Sequence, residues 1–353
     1  MMQESFNEEP TGDGHQEHHP LNPYSVAPLT DSDDFPSPSL GTAIADIDRV
    51  ELEDAAALST AYRAPAPPPR VWPVFGIVGL SWLSFMLCSL VMLVVAIFVV
   101  HGEFNPRLML SADAMSEVSS SRVGLLLLVV FPQLGLVMPS LLAAYLSPVQ
   151  FGKRLSLVRG HWPLWAWFAA AVTTPLIGWI SSIVVGSLME ESENLKMMSD
   201  IFRGHGESGF LIPLAFLIGA TPAFCEELLF RGYVQTRLNR RVGPAIGIFL
   251  SSAMFAIFHM DWIHIIAVFP LGVYLGIIAW RSGSLFPAML GHFVNNSISV
   301  FAVVLGPENM DQEPSPEMAI FLLSVISMGM FGSVLTAVAM WRLPQPKPAM
   351  AVA

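Results

Sequence analysis

Charge is what this sequence has least of. Asp, Glu, Lys and Arg together make up 13% of its 353 residues, while 53% are hydrophobic. A soluble domain carries about 25% charged residues, so the composition excludes a water-soluble globular chain and points to an integral, multi-pass membrane protein. Basic residues are scarcer than acidic ones, 17 against 28, for a net charge of −11. There is no basic stripe, and most of the acidic excess lies in the first 60 residues, which excludes nucleic acid as a partner. Cysteine is nearly absent. Cys88 and Cys225 both fall in apolar runs, so a disulfide framework is excluded. The chain opens with neither a basic n-region nor an early apolar run, and no cleaved signal peptide is expected.

Residues 1–70 are rich in Asp, Glu, Pro and Ser, as in Asp31-Ser-Asp-Asp34, Pro36-Ser-Pro38 and Ala64-Pro-Ala-Pro-Pro-Pro-Arg70. Such a segment cannot bury a core. It is expected to be a disordered, acidic cytoplasmic tail ending in a stiff polyproline linker. Within it, Ile44 to Tyr62 has a weak helical pattern suited to folding on a partner, and His15, His18 and His19 read as solvated tail rather than a metal site.

Apolar runs of spanning length follow at about 73–100, 123–146, 162–187, 208–235, 243–260, 262–280, 283–305 and 318–341. The fold class expected is all-α: a polytopic membrane helix bundle of about eight transmembrane helices. Residues 71–200 would hold the N-terminal membrane helices, 201–305 a catalytic core, and 306–353 the last helix and a C-terminal tail. With eight spans, Arg63, Arg70, Lys153, Arg154, Arg159, Arg237, Arg240, Arg241, Arg281, Arg342 and Lys347 all fall on one side. The other side carries Glu190-Glu-Ser-Glu193 and Glu308 to Glu313, with only Arg107, Arg122, Lys196 and Arg203. The positive-inside rule then places both termini in the cytoplasm. No inverted repeat is visible, which argues against a transporter that would use a membrane carboxylate as a carrier site.

One apolar run breaks the pattern. Pro222-Ala-Phe-Cys-Glu226-Glu227-Leu-Leu-Phe-Arg231 sets three charges at the end of an apolar helix. On insertion scales each costs roughly 2.5–3.5 kcal/mol at membrane depth, and such residues mark function by default. Glu227 and Arg231 are four apart and share a face, so they are expected to pair. Glu226 lies about 100° round the helix, without a local cation, where desolvation favours a general base. His292 and Asn296 also share a face and can both donate toward one point, as an oxyanion site requires; Asn295 lies close enough to substitute. His259, at the end of Ser251 to Phe258, is the residue placed to orient the attacking water, although helix rise puts it about 24 Å deep, against about 15 Å for Glu226 and His292. His264 reads as interfacial. Two Glu and two His also admit zinc, but there is no His-Glu-x-x-His helix and Asn is a poor zinc ligand, so the site is expected to work without a metal or other cofactor.

Taken together, Glu226-Glu227-Leu-Leu-Phe-Arg231, then Phe255-Ala-Ile-Phe-His259, then His292-Phe-Val-Asn-Asn296 resemble the CPBP family. That family comprises the type II CAAX prenyl endopeptidases and the bacteriocin-processing or immunity (Abi) proteins. The resemblance covers about 208–305. It implies a catalytic set of Glu226, His259, His292 and Asn296, supported by Glu227, Arg231 and Asn295. It further implies an intramembrane glutamic endopeptidase acting on a membrane-associated peptide or protein in the lipid bilayer, at a cavity expected to open to the cytoplasm. Prenylated substrates are not carried over. The alternative is a non-catalytic immunity or scaffold protein that binds a peptide partner in the same groove.

Overall fold

The structure, a computed structural model, describes residues 70–103, 105–307 and 315–344. The expectations for the tail before Arg70, for the Glu308 to Glu313 loop and for Lys347 lie outside them. Among the described residues all regular structure is helical.

Helix α1 spans Trp72–His101, with Pro73 in its first turn and a stop at Gly102, whose φ of 74° only glycine adopts freely. Two serines set the next starts: Ser111 caps α2 (Ala112–Ser120) and Ser121 caps α3 (Arg122–Tyr145), each accepting a backbone N–H. A short α4 (Phe151–Arg154) leads to α5 (Leu164–Leu188). Ser192 caps α6 (Glu193–His205), which ends in a widened turn, Gly206–Phe210, kinked at Gly209 with φ 77°. Helix α7 (Leu211–Glu227) then passes through a π-helical stretch, Leu228–Gln235, into α8 (Thr236–Val242). The remaining helices are α9 (Pro244–Ile257), α10 (Trp262–Ser282), α11 (Phe286–Leu305) and α12 (Pro316–Arg342).

Seven of these elements are long and apolar enough to cross a membrane, counting Glu193–Val242 as one. The eighth expected span is a shorter helix. Helix α9 has 14 residues, about 21 Å at 1.5 Å per residue, against a hydrocarbon core of about 30 Å. Its limits are chemical. Gly243, at φ 83°, and Pro244 start it; at its other end Met260 turns with φ 56°, and the Asp261 side chain caps α10 through the Ile263 and His264 backbone N–H groups. The chain still reverses there, because Ile248 packs beside Gly276 and Phe255 beside Gly272, antiparallel along α10. The loops therefore keep alternating between an end bearing Arg154, Arg159, Arg237, Arg240, Arg241, Arg281 and Arg342 and an end bearing Glu190, Glu191, Glu193 and Asp200.

The polar helix stands at the centre of the bundle. Every residue of the π stretch Leu228–Gln235 is buried. Phe230 meets Phe255 and Phe258 of the α9 end edge-on, and Val74 of α1 and Leu136 and Val137 of α3 join the same cluster. Lipid is as apolar as these side chains, so close backbone approach rather than water exclusion holds the helices together. Small residues supply it: Ala169, Ala170 and Ala171 are buried on α5, whose backbone Gly332 of α12 approaches closely.

Candidate active site

The two glutamates end α7 and face different neighbours, as their spacing predicts. Glu227 is fully buried. Its Oε1 accepts from Arg231 Nη1 at 2.7 Å, both side chains being 0% exposed. The guanidinium also donates through Nη2 to the Gly272 carbonyl at 3.0 Å and lies over the Phe255 ring, 4.2 Å from its centroid. One arginine thus ties α7 to α9 and α10. The same Glu227 oxygen lies 2.9 Å from His292 Nδ1 of α11. Glu227 is therefore shared, and the ion pair also fixes the ring of a residue expected to serve the reaction. Sequence spacing could not show this, since it is a contact between helices 65 residues apart.

Glu226 points into a cavity. Its Oε1 accepts from Gln133 Nε2 at 2.8 Å. Its Oε2 has no hydrogen-bond partner among the described residues and stands 3.9 Å from His292 Nε2, beyond hydrogen-bond reach. Gln133 belongs to α3 and was not anticipated. The signal was an amide next to Pro132 inside an apolar run, which a search for charges passes over.

The cavity has a volume of about 350 Å³ and is lined by Glu226, His259, His264, His292, Asn295 and Asn296. All four residues expected to be catalytic border it, as does Asn295, while Glu227 and Arg231 stand behind. The depth that helix rise gave His259 does not hold, because α9 ends at Ile257 and the chain bends back through a turn in which Asp261 N–H donates to the His259 carbonyl. His259 is packed edge-on against His264, ring centroids 4.6 Å apart. His264 thus belongs to the cavity wall, not to the membrane interface alone.

The two asparagines form a short chain. Asn295 Nδ2 donates to Asn296 Oδ1 at 3.1 Å, and Asn296 Nδ2 donates to the Ile218 carbonyl at a long 3.4 Å. Asn295 Oδ1 is buried without a partner and fits only because residue 178 is glycine: a Cβ there would lie 2.7 Å from it.

Among the described residues no group of three or more His, Cys, Asp or Glu is placed to hold an ion. Of the residues lining the cavity, Ser182 and Met198 are exposed. Both lie at the acidic end of the bundle, whereas an opening to the cytoplasm was expected on the side of the basic loops. The depth argument measured the site from the basic ends of the helices and ignored which side of that layer is open.

Residues 208–298 match the family model described as type II CAAX prenyl endopeptidase Rce1-like. The chain is similar to YpbD of Bacillus subtilis (strain 168), itself described as uncharacterized, with 31% identity over 110 residues. That alignment covers 30% of this chain and 53% of YpbD, so the chain spans about half the length of the curated relative it matches. No solved structure matches. The matched segment carries Glu226, Glu227, Arg231, His259, His292 and Asn296. Residues 208–298 are thus an Rce1-like domain, consistent with the CPBP family, within a polytopic helical membrane protein.

Proposed function

We propose that the chain is an intramembrane endopeptidase that hydrolyses a peptide bond of a membrane-associated peptide or protein, with Glu226 as the general base. The observation that carries this reading is the inequality of the two glutamates. Glu227 is occupied by Arg231 and His292, whereas Glu226 Oε2 is unpartnered in the cavity, 3.9 Å from His292 Nε2. A water held by Glu226 Oε2 in the cavity is the nucleophile. Glu226 takes its proton while the water oxygen attacks the carbonyl carbon; the same proton then passes to the leaving amine as the carbon–nitrogen bond breaks. His292, held in orientation by its Nδ1 contact with Glu227, turns Nε2 toward the place where the oxyanion forms. Asn296 or Asn295 supplies the second donor, since Asn296 Nδ2 makes only a long 3.4 Å bond to the Ile218 carbonyl among the described residues. His259, which also lines the cavity, orients the water, and Gln133 fixes the carboxylate.

The test is Glu226→Gln in detergent-solubilised protein. Cleavage of a peptide substrate should fall by at least about 100-fold with unchanged thermal stability. Full cleavage by the variant would overturn the assignment. A cellular role that survives Glu226→Gln combined with His292→Ala would favour peptide binding without chemistry.

A further inference from the structure

The mouth of the cavity has a charge of its own. One wall is α6, through Met198, Ser199 and Phe202. Glu190, Glu191, Glu193 and Asp200 are exposed on that helix and the loop before it. Asp261 lies beside Ser192, at the start of that helix. The Ser192 hydroxyl, then the His264 backbone N–H, hold its carboxyl below the usual carboxylate range and keep it ionised. Lys196 Nζ bonds Glu193 at 2.9 Å and offsets that carboxylate, leaving Glu190, Glu191 and Asp200, while Arg203 is held by the Gly306 and Pro307 carbonyls at 2.6 and 2.9 Å. Inside the rim the walls turn apolar, with Trp179, Phe202, Ile218 and Val303. Deeper still is Asn295, 8% exposed, with its unpartnered Oδ1 acceptor.

We propose, resting on the endopeptidase reading above, that the substrate is a peptide with an apolar segment flanked by Lys or Arg, presented on the non-cytoplasmic face of the membrane. The apolar residues enter the cavity while the cations lie along the acidic rim. The side follows from the opposite end of the bundle, where Arg154, Arg159, Arg237, Arg240, Arg241, Arg281 and Arg342 gather. The positive-inside rule puts that end in the cytoplasm, and the mouth away from it. A lipidated C-terminus on a cytoplasmic protein would arrive at the closed end.

Two measurements test this without relying on cleavage. Met198→Cys, and independently Glu190→Cys, should react with a membrane-impermeant maleimide on intact cells, while Arg240→Cys should react only after permeabilisation; the reverse pattern overturns the proposal. A synthetic Leu/Phe-rich peptide flanked by lysines should then slow labelling of Met198→Cys about tenfold at low salt and less at high salt. The same peptide flanked by glutamates should not. Equal slowing by both peptides, or by neither, sinks the proposal. The protection should persist when Glu226→Gln is added. Cleavage in detergent without protection from outside would leave the hydrolase reading standing and remove this one. Protection without any cleavage would do the opposite.

Discussion

At the scale of single residues, Glu227 decides what its neighbours can do. It neutralises Arg231 within the helix and holds His292 across helices, so the two glutamates cannot be exchanged. Arg231→Met would leave the Glu227 carboxylate buried against His292 alone and release the Gly272 carbonyl. It is expected to destabilise the protein by about 3–5 kcal/mol, read as a fall in thermal midpoint in detergent. Gln133→Leu removes one hydrogen bond to Glu226. It should lower kcat by about tenfold and also lower the thermal midpoint, because a hydrogen bond to a charged group contributes about 1.5–3 kcal/mol. The pairing of Glu227 with Arg231, apart from Glu226, was legible in the sequence, since i, i+4 spacing fixes faces. Gln133 was not, because a neutral amide gives no charge signal, and neither was the Glu227–His292 contact, because nothing local brings them together.

At the scale of helices, spacing gave the long apolar runs but not their ends. The run 243–260 looks like a span in composition. Its helix is cut to Pro244–Ile257 by backbone geometry at Gly243, Pro244 and Met260, which hydropathy does not register. That shortening is what places His259 in the cavity. Helix α6 precedes the run 208–235, and its mixed polar and apolar face does not read as a span although it walls the mouth. Where α5 meets α11, Gly178 admits the Asn295 amide. Gly178→Val would force that amide aside. A loss of cleavage larger than the loss of stability, about 1–3 kcal/mol for overpacking, is expected from parallel activity and melting measurements.

At the scale of the whole molecule, a bundle with one basic and one acidic end surrounds the buried centre formed by Glu226, Glu227, Arg231 and His292. The absence of a three-residue donor cluster among the described residues gives a further expectation. Cleavage by detergent-purified protein should survive prolonged treatment with a strong chelator, and loss of activity restored by zinc would count against the metal-free scheme.

The order in which the centre's parts occur along the chain bears on how the protein is made. Gln133 is in the membrane before Glu226 is synthesised, and Arg231 follows Glu227 by one helical turn, so the two opposite charges can leave the insertion machinery as a neutral pair. His292 comes 65 residues after Glu227. Until α11 is inserted, the nascent protein holds a compensated ion pair but no histidine facing Glu226. The histidine meets the two glutamates only when α11 docks.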